Sequence, residues 1–356
     1  MATNTLTVLA AAGLSIAAAI ARPAQQPQPP TWRAVQPESG EVHFANLRQL
    51  TFGGQNAEAY FSSDGAKLVF QSTRDEHPCD QEYVMNADGS DVHRVSNGRG
   101  RTTCGYFFDH DRRVLFSSTD LHNADCPPTP DYSRGYVWRV DDYDIFTANV
   151  DGSDLRQLTH AAGYNAEAVV SPDGQHVVYT STRDGDLEIY TMRIDGTHVR
   201  RLTHELGYDG GPWWSHDGKK IVYRASHPQT PEAKAEYLRL LAQHLVRPLE
   251  MGLWVMNADG SNRHQITHLG GANFAPYFTP DDRRIIFASN YRNPRGANFD
   301  LYLVNVDGTG LERVTTYEGF NSFPMFSPDG KKLVWASSRQ ATQPHETNIF
   351  IADWVN

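Results

Sequence analysis

Carboxylates and amides recur in this chain at intervals that suit the capture of a cation. Asn56, Thr103, Asn165, Asp209, Asn273 and Asn321 fall at one phase of a recurring pattern. Two residues further on come Glu58, Gly105, Glu167, Gly211, Ala275 and Phe323. Glu58, Glu167 and Asp209 crowd one side of such a ring, and hard oxygen donors of this kind suit Ca2+, with Mg2+ or Mn2+ next. A second set, Arg74, Arg183 and Arg339 with His227 in the corresponding place of another copy, offers N–H donors for an anion such as a carboxylate or uronate. Each set has a plainer alternative. Asn and Asp side chains cap turns by hydrogen-bonding nearby backbone amides, and Arg pairs with carboxylates such as Asp75 and Asp184, which follow two of these arginines. The chain contains no G-x-S-x-G, no H-E-x-x-H and no G-x-x-x-x-G-K.

The elements that must position these side chains are short strands. From Gly163 to Thr203 the sequence offers an apolar run, the turn Ser171-Pro172-Asp173-Gly174, a β-branched run, an alternating run, the turn Asp195-Gly196 and a closing strand. Pro presets one turn torsion and each Gly accepts positive φ. The first turn recurs at Asp64-Gly65, Asp111, Asp217-Gly218, Asp281 and Asp329-Gly330, which makes six copies. Four strands repeated every ~40–50 residues are the signature of a β-propeller. The last copy lacks a fourth strand, whereas residues 45–51 match the fourth strand at 155–159. The chain is therefore expected to be all-β, a six-bladed propeller of four-stranded antiparallel blades closed by an N-terminal strand in the last blade.

Copies reading SPDG, an apolar strand, S-x-R and then Y-x-M-N-A-D-G-S ending in R-x-L-T resemble the Pro-Asp repeats of the TolB-like β-propellers. Ser171 to Gly174, Ser327 to Gly330, Met85 to Ser90 and Met256 to Ser261 carry the closest matches. The resemblance covers residues 45–356 and implies the fold, without the α/β domain that precedes the propeller in periplasmic TolB. It implies a binding or scaffolding role more than any one reaction.

Residues 1–21 carry no charged side chain and end in a small-x-small site, which reads as a signal peptide. Residues 22–40, rich in Pro and Gln, read as a disordered linker, and 41–356 as the propeller. A net charge of −10 with a pI near 5.8 argues against nucleic acid as the partner. Export would permit one disulfide among three cysteines, Cys104 with Cys126 or Cys79 with Cys126.

Strand connections on one rim also collect the insertions, at residues 121–141, 227–250 and 290–299, and long loops gathered on a rigid scaffold serve recognition. Thr230-Pro231-Glu232 starts a helix, with Leu238, Leu241 and Leu245 at helical spacing. The expectation is a periplasmic or secreted monomer that binds a protein, peptide or glycan on this rim. The alternative is a polysaccharide lyase or hydrolase that uses Glu58, Glu167, Asp209, Arg74, Arg183 and His227 with a divalent cation.

Overall fold

In the computed structural model, which describes residues 31–355, every repeat becomes one antiparallel sheet and the six sheets form a ring of blades. The second strands show why. Leu68-Val69-Phe70, Val114-Leu115-Phe116, Val177-Val178-Tyr179, Ile221-Val222-Tyr223, Ile285-Ile286-Phe287 and Leu333-Val334-Trp335 are buried throughout. Both faces of each blade pack on a neighbour, so these strands are continuous apolar runs rather than alternating ones.

Turn chemistry matches the sequence. In blade three the Ser171 hydroxyl donates to Asp173, the Gln175 amide donates to the same carboxylate, and Gly174 takes φ 72°. The second turn repeats the device with Asp195 and Thr197.

The ring closes as expected. Phe44–Gln49 pairs antiparallel with Asn348–Trp354, placing Phe44 beside Trp354 and Gln49 beside Phe350. Arg33–Ala34 adds a fifth strand outside it. Here the boundary at residue 40 needs correction: residues 31–40, expected to be disordered, are tied down by this pairing and by hydrogen bonds from Thr316. Glu41, buried, receives two bonds from Arg339 at 2.6 and 3.1 Å. The signal peptide and the linker up to residue 30 lie outside the described residues.

Insertions from blades two and four meet across the channel mouth. Trp138–Arg139 pairs with Leu245–Val246 in a two-stranded ribbon. The helix Pro231–Leu241 begins as expected, with the Thr230 hydroxyl accepting from the Ala233 amide. Its packing differs from the leucine stripe read in the sequence. Leu238 is exposed and Leu245 belongs to the ribbon, while Leu240 is buried and the Tyr237 hydroxyl donates to Asp186 and to the Gly207 carbonyl.

Candidate functional site

Each blade's first strand contains a β-bulge, and the bulged residue points into the central channel. Glu58, Cys104, Glu167, Gly211, Ala275 and Phe323 occupy these positions with φ between 51° and 59°, and all six line the channel. The ladder register slips at each of them. A bulge re-aims a side chain that a regular strand would direct into the blade interface. Two of the sequence-based phases shift by one residue, because Asp111 of blade two stands in the turn place that Gly65 fills in blade one, while His110 takes the place of Asp64. Thr102 and Cys104 take the places expected for Thr103 and Gly105.

The cavity inside the ring has a volume of about 1580 Å³. One side is polar: Glu58, Cys104 and Glu167 with Tyr60, Tyr164, Tyr208 and Arg224. The other side, from blades five and six, carries an apolar patch of Phe274, Ala275, Phe299, Phe320 and Phe323, with Asn290, Arg295, Ser338, Gln340 and Glu346 also in the lining. Trp213 shuts one end, with Tyr60, Tyr106 and Tyr277 standing edge-on around it at 4.8, 5.5 and 5.1 Å. Over the mouth lies the ribbon, whose Trp138 touches both Tyr208 and Phe274 and receives the Arg224 guanidinium on its ring at 5.1 Å.

Glu167 is fully engaged. Arg224 and the Tyr208 hydroxyl donate to one oxygen; the Thr180 hydroxyl and the Gly211 amide donate to the other. Glu58 differs. It receives only a long contact from the Tyr60 hydroxyl at 3.4 Å and one from the Cys104 thiol. Burial, with the like charge of Glu167 adding to it while Cys104 and Arg224 oppose, pushes the Glu58 carboxyl up to about 7. A carboxyl that titrates near neutrality inside a cavity can exchange a proton or receive a cation.

Other candidates are placed elsewhere. Asn56, Asn165, Asn273 and Asn321 are buried and bind backbone. Each amide group donates to carbonyls of the preceding turn or blade, and each carbonyl oxygen accepts from a serine of the neighbouring strand: Ser72, Ser181, Ser289 and Ser337. They are turn and blade clamps and do not reach the channel. Arg74 lies over the Phe70 and Tyr83 rings, Arg183 over Tyr190, and Arg339 binds Glu41, so these arginines serve their own blades or the closure. Asp209 faces His227 at 3.2 Å, and neither lines the channel.

The proposed metal set of Glu58, Glu167 and Asp209 is thereby divided. Among the described residues no cluster of three His, Cys, Asp or Glu suits a metal ion. The disulfide joins Cys79 to Cys126, with Cα atoms 5.7 Å apart, and Cys104 is the free thiol; the pairing of Cys104 with Cys126 is corrected. The bulge turns Cys104 inward toward Glu58, away from the insertion that carries Cys126.

Arg224, Trp138, Trp213 and Glu82 are channel or wall residues that the repeat phase did not single out. Arg224 and Glu82 leave a trace in sequence, because Arg224 is the charged member of a column that is otherwise uncharged (Gln71, Ser117, Thr180 and two alanines) and Glu82 breaks an otherwise apolar one. Arg224 stands where blades five and six have Ala288 and Ala336, and Glu82 where the five other blades have Ile145, Ile189, Leu253, Leu301 and Ile349.

Residues 128–252 match the family model described as the Tricorn protease N-terminal beta propeller domain, and residues 246–350 match the one described as the TolB beta propeller domain. Among solved structures the chain is similar to a putative TolB from Agrobacterium tumefaciens, with a TM-score of 0.57, 20% identity and coverage of 85% of this chain and 91% of that one. It is similar also to TolB from Acinetobacter baumannii (0.53, 16%, 75% of this chain), of whose length it spans 55%. An oligogalacturonate lyase in complex with manganese gives 0.53 at 14% identity over 92% and 96% of the two chains. Likeness at these identities extends to the fold. No curated protein matches by sequence.

Proposed function

We propose that this chain, a β-propeller whose residues 246–350 match the TolB beta propeller domain, is an exported binding module whose central channel receives the end of a peptide or glycan beneath the ribbon. The observation that carries this reading is the two-sided channel: a polar wall with an incompletely engaged carboxyl, a phenylalanine wall, an aromatic stop and a roof built from two insertions. Concave sites of this kind, apolar with a few placed polar groups, hold small ligands. The Cys79–Cys126 disulfide supports an oxidising compartment, periplasmic or extracellular. A ligand in the channel would lie against Trp138 and Trp213, so tryptophan fluorescence during titration with short peptides and neutral oligosaccharides tests the reading. Saturable change in the wild type, lost when residues 229–247 are removed from a still folded ring, is the expected result. Equal responses from both proteins would exclude the roof, and no response from any probe would sink the proposal.

A second reading, a lyase or hydrolase acting on a polysaccharide with a divalent cation, draws on Glu58 alone. Its carboxyl titrates where a general acid or base must, although the arginines and Asp209 assigned to that reading lie elsewhere. Incubation with oligogalacturonate and Mn2+ or Ca2+, followed by ultraviolet absorbance for the unsaturated product of a lyase and a reducing-end assay for hydrolysis, decides it; silence in both removes the enzyme reading.

A further inference from the structure

Negative charge on the wall between blades one and two exceeds the positive charge beside it. Arg224 is committed to Glu167, and Arg101 stands 3.7 Å from Asp80. No ion pair reaches Glu58 or Glu82 among the described residues. Glu82 is fully buried, and its carboxyl meets the Gly105 backbone amide without a hydrogen bond of ordinary geometry to either oxygen. The carboxyl presses on the back of the channel wall: a Cβ added to Gly105, next to Cys104, would meet its Oε1 at 2.1 Å. Burying an acid this way is costly unless something compensates it, and the same register position is Ile or Leu in every other blade.

Blade one, which carries Glu58 and Glu82, stands beside blade six, whose Phe320 and Phe323 line the channel, and the apolar patch continues onto blade five with Phe274 and Ala275, surfaces without a hydrogen-bonding side chain. Sugar hydroxyls would go unsatisfied there; an apolar body would not. Resting on the reading of the channel as a binding site, we infer that this wall is a receptor for a protonated amine attached to an apolar group, the ammonium seated against Glu58 and the apolar body on the phenylalanines, with Glu82 supplying negative potential from behind Gly105. Burial raises the titration points of both carboxyls, with Glu167 and Asp80 adding to Glu58, and Glu58 and Asp80 adding to Glu82. Arrival of a cation favours their ionised forms, so binding expels protons. The groups that share this field are Asp80, Cys104, Glu167, Arg101, Arg224 and Tyr60.

Calorimetric titration of the full chain near pH 7, in two buffers of different ionisation enthalpy, tests the inference with four probes. These are phenethylamine, its N-acetyl derivative, a tripeptide beginning with phenylalanine and the same tripeptide N-acetylated. Expected is at least tenfold tighter binding of a free amine than of its acetylated twin, with net proton release, and a loss of tenfold or more in Glu58→Gln. Binding of the peptide alone would assign the amine to a peptide terminus; comparable binding of phenethylamine would assign it to free amines. Glu82→Leu keeps the apolar packing of the other blades and should lower amine affinity severalfold and reduce the protons released. Unchanged affinity and proton release in that variant would overturn the part assigned to Glu82. Equal binding of acetylated and free probes overturns the amine receptor while leaving the channel as a binding site, and silence from all four, with no tryptophan response to any ligand, overturns both.

Discussion

Glu82 makes a stability argument testable apart from any ligand. Its carboxyl is held well above the usual range by burial and the neighbouring acids Glu58 and Asp80, with the Gly105 amide opposing. Replacing it with the leucine found in blades four and five removes a desolvation cost of about 1–3 kcal/mol and should raise the unfolding midpoint in urea or heat. Glu58 gives the second prediction. Its folded value, about 7, lies above the ordinary 4.5, so the native state binds more protons than the unfolded chain between those values. The stability it contributes is complete below about 4.5 and is lost as pH rises toward and through 7. Glu188, pushed up to about 7 chiefly by burial, acts in the same window. Glu58→Gln should therefore flatten part of the decline in unfolding free energy between pH 5 and 8, by an amount of order 1–3 kcal/mol. An unchanged slope would place the titration elsewhere.

Elements explain which site residues the repeat exposes and which it hides. Glu58 and Glu167 are legible because Asp64 and Asp173 mark the same turn place in blades one and three, whereas Asp111 of blade two stands one place later and so put Gly105 where Cys104 belongs. The asparagines were found at the right phase, but a phase does not say which way a side chain points. The bulge lies two residues beyond them, so Asn56 and its counterparts face the blade interior, where serines saturate them. Trp138, an aromatic residue of the blade-two insertion, could not be placed at the channel from sequence, because no repeat sets the register there. That insertion is anchored at its root by Cys126 to Cys79, closing a loop of 47 residues. A Cys79→Ser, Cys126→Ser double variant should lose about 2–4 kcal/mol and admit protease between residues 121 and 137. Resistance there equal to wild type would show that pairing with Leu245–Val246 alone holds the roof.

At the scale of the whole molecule, six blades and their closure were readable because a ring of sheets needs the same turns six times and leaves one strand missing at one end and spare at the other. The clasp itself was not readable. Arg339 was grouped with Arg74 and Arg183 by phase, yet its guanidinium is buried among Tyr317, Trp335 and Phe350 and bonds Glu41, a residue nearly three hundred positions away in the chain. Breaking a buried pair by removing one partner strands the other charge, so Arg339→Ala should cost about 3–5 kcal/mol and unfold the ring at lower denaturant as a single transition. Loss of only a terminal segment, with the main transition unmoved, would mean that the clasp trims an edge without securing the circle.

The pairing of Phe44–Gln49 with Asn348–Trp354 bears on biosynthesis. The first ribbon made emerges from the ribosome long before its mate exists. Throughout translation the growing chain must carry an unpaired strand at one extremity and an unfinished sheet at the other, both of them templates for illicit pairing with other chains. Maturation of this protein is thus a race between late circularisation and aggregation, and a chaperone that shields residues 44–49 until the final strand appears would favour the former.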